Sequence, residues 1–335
     1  MNLKKIIVSV FVILTFTCSR FMSQDFHLSQ YESCPLYLNP SFTGMFDGDF
    51  RVFGNYRTQW GSIIPNAYNT VAFGGDIPLK KFNIGALVMD NRAGTGAYNV
   101  FNFLVSAAKD FSLDKNKNHH ISVGIQTGIL QKSISVSKLV FNNQFVNQGN
   151  GSFNSSLPSG ENIGDQSVIL PNLNFGFTYY YGNASSRFNP FLGAAVYNII
   201  SPKESIINGG ARLPQRYIIN AGSKINISEK IQIAPRFLLM QQKNITEISA
   251  GMLLHYYLKD ADTFVMAGAD YRKNDAVVAH IGLKKAGFFY RISYDMNTSY
   301  LKNYSGGKGA MEFSVTYIPV KPKEKLPVLN VCPRL

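Results

Sequence analysis

From about Phe50 to Ile318 the chain is a succession of strand-length segments in which apolar residues alternate with small or polar ones. In residues 288–296 one face reads Phe288, Tyr290, Ile292, Tyr294 and the other Phe289, Arg291, Ser293, Asp295. Residues 311–317 set Met311, Phe313, Val315 and Tyr317 against Glu312, Ser314 and Thr316. A period of two sends successive side chains to opposite faces of a strand. A water-soluble sandwich also alternates, but its exposed face would carry many Lys and Glu. Here one face is aliphatic or aromatic and the other is Gly, Ser and Asn with an occasional charge. The pattern predicts an all-β, transmembrane, antiparallel up-and-down β-barrel with a lipid-facing exterior and a polar lumen.

Fourteen strands are expected, over residues 50–57, 66–76, 82–90, 98–111, 119–132, 170–182, 188–198, 215–227, 230–241, 246–257, 263–272, 276–284, 287–296 and 310–318. Fourteen is even, as single-chain bacterial barrels require. The long connections, 58–65, 133–169, 199–214 and 297–309, follow strands 1, 5, 7 and 13, all odd-numbered. Outer-membrane barrels place short turns at the periplasmic rim and long loops outside, so this parity sets both barrel ends in the periplasm. The longest connection, 133–169, is rich in Asn, Gly, Ser and Gln; it is a candidate for surface recognition or for folding into the lumen. Trp60, the single Trp, is expected near the outer end of the first strand as an interface anchor.

With 16% charged residues, 28 Gly and no long apolar run beyond residue 20, a polytopic helical membrane protein is excluded. Lys4 and Lys5, then an apolar stretch from Ile6 to Phe16, have the order of a secretory signal peptide, expected to be cut before Gln24. Acylation at Cys18 is the rival, weakened by Phe16 where a small residue is usual. Loss of residues 1–23 removes Lys4, Lys5 and Arg20 and no acid, lowering the formal charge from +13 to +10. In an exported barrel those cations lie in turns and loops against lipid headgroups or partners. No nucleic-acid-binding motif accompanies them.

The organisation that follows is a signal peptide over 1–23, a pre-barrel periplasmic or plug segment over 24–49, the barrel over 50–318 and a periplasmic tail over 319–335. The tail carries Pro319, Pro322, Pro327 and Pro333, which oppose continuation of a sheet. Cys34 and Cys332, read as flanking the barrel near the two ends of the mature chain, are a possible disulfide or two free thiols.

Chemistry is sparse. His27, His119, His120, His255 and His280 have no nucleophile at a recognisable spacing, and adjacent strand residues such as His119 and His120 point to opposite faces. No catalytic, cofactor or metal site is expected. The inward charges His280, Lys284, Arg291, Asp295 and Glu312 read as mutually paired lumen groups, with a permeation path as the alternative.

The residues 24–31 (Gln-Asp-Phe-His-Leu-Ser-Gln-Tyr), 35–44 (Pro-Leu-Tyr-Leu-Asn-Pro-Ser-Phe-Thr-Gly), 47–51 and 55–60 resemble the N-terminal signature of the PorP/SprF family. The closing strand at 312–317 and the terminal Cys332-Pro333-Arg334-Leu335 extend the resemblance. It implies a non-enzymatic outer-membrane component of the type IX secretion and gliding-motility machinery. The implied partners are outer-membrane lipid, the periplasmic ring lipoprotein with its associated proteins, and the C-terminal domain of a secreted adhesin or effector. Tyr37, Leu38, Asn39 and Pro40, with Cys332, Pro333 and Arg334, are the candidate docking residues. The alternative function is a passive outer-membrane channel or transporter; lipid or peptide hydrolysis has no supporting residues.

Overall fold

The computed structural model describes residues 26–61, 67–94, 97–147, 151–160, 164–183, 185–204, 210–300 and 302–319. The barrel strands are β1 (Arg51–Gln59), β2 (Tyr68–Ile77), β3 (Asn83–Ala93), β4 (Tyr98–Ser112) and β5 (His119–Ile134). A two-residue hairpin, β6 (Phe145–Val146) with β7 (Ser152–Phe153), interrupts the run. The barrel resumes with β8 (Gln166–Tyr181), β9 (Phe188–Tyr197), β10 (Arg216–Asn226), β11 (Ile231–Gln242) and β12 (Ile245–Leu258). It finishes with β13 (Thr263–Arg272), β14 (Ala276–Lys285), β15 (Phe288–Asn297) and β16 (Lys308–Tyr317).

Each barrel strand pairs antiparallel with its neighbours, and β1 closes on β16, with Val52 opposite Tyr317 and Gln59 opposite Ala310. The fourteen expected strands are those of the closed sheet. Differences are confined to ends, the largest at β8, which starts at Gln166 rather than Leu170. Closure leaves no sheet edge, which hydrocarbon demands because unpaired backbone groups there have no water to bond. Among the described residues no helix is long and apolar enough to cross a membrane.

The two faces sort as the alternation requires. Ile125, Phe175, Leu192, Ile281, Met311 and Phe313 are exposed on the outside. Arg57, Asn102, Ser122, Thr178, Asp270 and Glu312 are buried on the inside. The start of β1 and the end of β16 share a rim with the short turns, including Ala286-Gly287 between β14 and β15. That is the periplasmic rim by the parity argument.

The lumen is filled by the segment preceding β1. Residues 28–46 are almost entirely buried, and they fold as three short turns: a 3-10 turn Tyr31–Ser33, an α-helical turn Pro35–Leu38 and a 3-10 turn Pro40–Phe42. Pro35 and Pro40 occupy first positions, where a missing N–H is harmless. The side chain of Asn39 caps the third turn by accepting from Ser41 N at 3.0 Å. Gly44, at φ +70°, turns the chain at the bottom of the lumen against Asn83, where a Cβ would lie 2.3 Å from the Asn83 side chain.

Candidate functional site

The filled lumen and its two rims form the candidate site. The lead-in runs the length of the barrel rather than resting beneath it. Phe26 and His27 sit with Gln59, Trp60, Lys132 and Glu247, all at the outer ends of their strands. His27 Nδ1 is 3.2 Å from Glu247 Oε2. Gly44 lies at the opposite rim, its N–H donating to Asp76 Oδ2 at 2.6 Å. The sequence reads the lead-in as a periplasmic or plug segment, and it lies inside the barrel. Its first described residues reach the outer half rather than joining the periplasmic side, because loop parity locates strand ends and says nothing of a segment threaded inside them.

Apolar packing on two walls and several groups of polar contacts hold it. Leu28, Cys34 and Leu36 pack on Phe53, Ala72, Leu87, Met89 and Leu104, the wall of β1 to β4. Tyr31, Leu38, Phe42 and Met45 pack on the other side, against Tyr180, Tyr197, Ile218, Leu238 and Met240 of β8 to β11. Between them Asn39 and Ser41 sit on a glycine floor. Gly124 of β5 lies directly opposite Gly176 of β8. A Cβ on Gly124 would come within 2.4 Å of the Pro40 carbonyl, and one on Gly176 within 2.0 Å of Asn39 Oδ1. Ser122 Oγ donates to the Ser41 carbonyl at 2.7 Å, and Ser41 Oγ is 2.6 Å from Thr178 Oγ1.

The most extensive polar contact is with a buried charge cluster formed by β1, β13, β15 and β16. Arg57 reaches Asp295 at 3.0 Å and Glu312 at 3.1 Å, and Arg272 reaches Asp295 at 2.8 Å. The lead-in caps this cluster. Ser29 N and Gln30 N donate to the two oxygens of Glu312 at 2.8 and 3.0 Å. Ser29 Oγ lies 2.8 Å from both oxygens of Asp295 and accepts from Arg57 at 2.7 Å. Gln30 Nε2 reaches Ser293 Oγ and the Glu312 carbonyl at 3.0 and 2.9 Å. A second group joins Arg236 to Asp270, and His280 to the same carboxylate at 3.0 Å. At the periplasmic rim Arg51 donates to both Asp76 oxygens, at 2.9 and 2.7 Å, and to the Phe42 carbonyl at 3.0 Å.

Of the lumen charges expected from sequence, Asp295 and Glu312 are the anions of the first cluster, and Arg291 faces Glu32 of the lead-in at 3.6 Å. His280 belongs to the second group, and Lys284 lies over the Phe289 ring at 4.4 Å. Arg57, Arg236, Asp270 and Arg272 were not singled out, although their inward parity was readable once the strands were placed. His119 and His120 are at the periplasmic end of β5, Nδ1 of each 2.8 Å from Tyr179 OH and from Asp110 respectively. His255 lines the lower lumen. Trp60 follows β1 directly, edge-on to Tyr68 at 5.1 Å.

The candidate docking quartet is covered. Leu38, Asn39 and Pro40 are buried and Tyr37 is half-buried, stacked on Phe26 and bonded to Arg216. Leu38, Asn39 and Pro40 face the lumen wall, and Tyr37 alone of the four keeps part of its surface exposed. Cys34 is likewise inside the barrel, not outside it, fully buried, and burial pushes its thiol pKa up. Cys332, Pro333 and Arg334 lie outside the described residues. The loop that reaches inward is the β9–β10 connection, whose Leu213 is buried with Val100, Leu130 and Leu170 beside Phe26. The β5–β8 loop carries exposed Val140, Phe145 and Phe153 instead.

Comparison with known proteins places this architecture. The family model described as type IX secretion system membrane protein PorP/SprF matches residues 21–317. Among solved structures, the chain is similar to the CymD monoaromatic hydrocarbon channel, at 10% identity and a TM-score of 0.48 over 87% of this chain and 94% of that one. It is similar to the Ralstonia pickettii toluene transporter TbuX, at 7% identity and 0.47 over 86% and 94%. A Pseudomonas aeruginosa FadL homologue gives 10% identity and 0.45 over 85% and 94%. These likenesses are of barrel architecture alone. No curated protein matches the chain by sequence.

Proposed function

We propose a role that starts from membership: the chain belongs to the PorP/SprF family of type IX secretion system membrane proteins, and acts in that machinery as a plugged, non-enzymatic outer-membrane scaffold. On this reading the periplasmic rim and the tail engage the periplasmic ring lipoprotein and its associated proteins. The outer loops handle or anchor the C-terminal domain of a secreted adhesin or effector.

The observation that supports a scaffold over a passive channel is the occupied lumen. A permeation path needs continuous water, whereas residues 28–46 are packed against opposite walls and bonded to the buried charge cluster. The periplasmic rim supports docking by its chemistry. Lys80 and Lys81 between β2 and β3, and Lys115 and Lys117 between β4 and β5, stand beside the exposed Leu79, Phe82 and Leu113. Cations around exposed apolar side chains suit an anionic protein surface or lipid headgroups.

The test pairs cargo display with conductance. Deleting residues 321–335, or replacing Lys80, Lys81, Lys115 and Lys117 with Glu, should leave the barrel in the outer membrane and lower cargo on the cell surface. The wild-type protein in planar bilayers should show no steady conductance. Normal display by the barrel-intact double variant, together with an open wild-type pore, would return the assignment to a channel.

A further inference from the structure

Above the lead-in the lumen opens into an outer vestibule of about 830 Å³. That lies within the usual span for small-molecule sites, about 300–1,000 Å³. Phe26 and His27 form part of its floor, and the packed lead-in beneath them closes the way to the periplasm. A blind pocket that faces the cell exterior holds a ligand rather than passing it.

One wall of the vestibule is aromatic. Gln59, Tyr68, Ala93 and Tyr98 pair successively across β1 to β4, which sets them in one row on the inward face. Tyr68 and Tyr98 flank the small Ala93, about 10 Å apart at twice the strand spacing, and leave a slot between them. Tyr68 keeps 40% of its surface exposed although its strand position faces the lumen. Trp60 lines the same wall beside it. The Trp60 backbone is at φ +59°, a left-handed conformation that bulky residues rarely adopt, and its N–H donates to the Gly309 carbonyl at 2.9 Å. Strain of this kind persists only where the surrounding structure enforces it, and it gathers at ligand clamps.

The rim formed by β11 to β14 is cationic. The carboxylates of the vestibule are already engaged: Glu204 with Lys132, Glu247 with His27 and Asp275 with Arg272. Lys243 in the β11–β12 turn and Lys273 in the β13–β14 turn also line it. Both are exposed, and neither has a carboxylate partner among the described residues. One cavity therefore joins a row of rings to two uncompensated ammonium groups.

We propose that the vestibule binds an acidic oligosaccharide, a short chain of pyranoses bearing carboxylates, presented from outside the cell. The C–H bonds on a pyranose face carry partial positive charge and pack on the negative faces of aromatic rings. Trp60, Tyr68 and Tyr98 supply those rings, the Gln59 amide meets ring hydroxyls, and Lys243 and Lys273 meet the carboxylates. An aliphatic ligand would leave the amide and the lysines unused, and a small inorganic anion would leave the aromatic wall unused.

The chain has one Trp, so tryptophan fluorescence of the full-length protein reads the vestibule directly. The protein is held in an amine-oxide detergent, which carries no sugar to compete. The probes are trisaccharides of mannuronate, guluronate and glucuronate, each beside its neutral hexose counterpart. At least one uronate should give a saturable fluorescence change and bind about tenfold more tightly than its neutral counterpart by calorimetry. Replacing Lys243 and Lys273 with Gln should erase that advantage and leave the neutral sugar's affinity unchanged. Tyr68→Ala combined with Tyr98→Ala should weaken both sugars by about tenfold while the boiled and unboiled gel mobilities stay distinct. Ala93→Phe, which fills the slot, should do the same. No saturable change with any of the three uronates overturns the proposal, as does wild-type affinity in both wall variants. Equal affinity for acidic and neutral sugars overturns the acidic assignment.

Discussion

The lead-in and the β5–β8 loop are alike on paper and opposite in the folded molecule. Each is a non-barrel segment mixing Asn, Ser and Gly with a scatter of aliphatic and aromatic residues. In the lead-in Leu28, Leu36, Leu38, Phe42 and Met45 are all buried. In the loop Leu139, Val140, Phe145, Phe153 and Leu157 are all exposed. The difference lies in what the wall offers. The lead-in meets glycines, paired carboxylates and apolar side chains placed to receive it, whereas the loop leaves the barrel rim and bonds mainly to itself, as in Asn154 N to the Gln144 carbonyl at 2.8 Å. Apolar content does not decide whether a segment is core; complementarity of the surface it reaches does.

The strongest way to break this contrast is to remove the charge that the lead-in caps. Arg57 is 1% exposed and holds Asp295, Glu312 and Ser29 together. Arg57→Ala leaves two carboxylates buried with one fewer cation, a loss of about 3–5 kcal/mol for a broken buried pair. The expected outcome is a lower unfolding midpoint, read by heat-modified gel mobility, and intermittent conductance as the lead-in detaches. The matching change in the loop, Phe145→Ala, should leave both readouts unchanged.

A subtler break acts on shape. Gly124→Val puts a branched side chain where even a Cβ would be 2.4 Å from Pro40. Overpacking of this kind costs about 1–3 kcal/mol. Because Gly124 is on the inner face of a strand still paired on both sides, the barrel should insert normally while conductance rises. Insertion with a sealed lumen would show that the lead-in can shift without leaving.

Thiol chemistry sharpens the same contrast without disturbing the fold. Cys34 is fully buried and its thiol pKa is raised by burial, so the reactive thiolate is scarce in the native state. A membrane-impermeant maleimide should fail to label Cys34 in intact cells and should label it after denaturation. A His27→Cys variant, at the floor of the outer vestibule, should label from outside. The reverse result would invert the direction in which the lead-in threads the barrel.

How much of this was legible depended on which interactions are local. Strand number, face and rim parity follow from period-two alternation and loop length, and Phe288 to Asp295 sorts outside and inside residue by residue. The contents of the lumen depend on contacts between residues far apart in the chain, such as Ser29 with Glu312. No periodicity in residues 26–46 announces them. Tyr37 to Pro40 was read as a docking epitope for that reason, since Asn39-Pro40 looks like any exposed turn until Gly124, Gly176 and Thr178 are seen to receive it. A cue was present in the inward glycines of β5 and β8, directly paired, because a small-residue notch on the lumen face marks close backbone approach.

The smallest expected effect belongs to the loop, and acid exposes it. The Asp165 carboxylate accepts from Val136 N at 2.7 Å, Ser137 N at 3.4 Å and Ser135 Oγ at 3.1 Å, tying the two ends of the β5–β8 connection. Those backbone donors hold its pKa below the ordinary carboxylate range. A depressed carboxylate contributes order that is present above the unfolded-state pKa and is lost as pH falls through the lower folded value. The loop should therefore keep its fold from neutrality to about pH 4 and loosen below it. The measurement is the protection factor of the Val136 amide, its hydrogen-exchange rate relative to the intrinsic rate at each pH. Asp165→Asn should abolish its acid transition by leaving that factor independent of pH. The Ser29 and Gln30 amides, bonded to a fully buried carboxylate inside the barrel, should stay protected throughout in both proteins. If they loosened in step with Val136, the loop and the lead-in would be one cooperative unit and the contrast between them would fail.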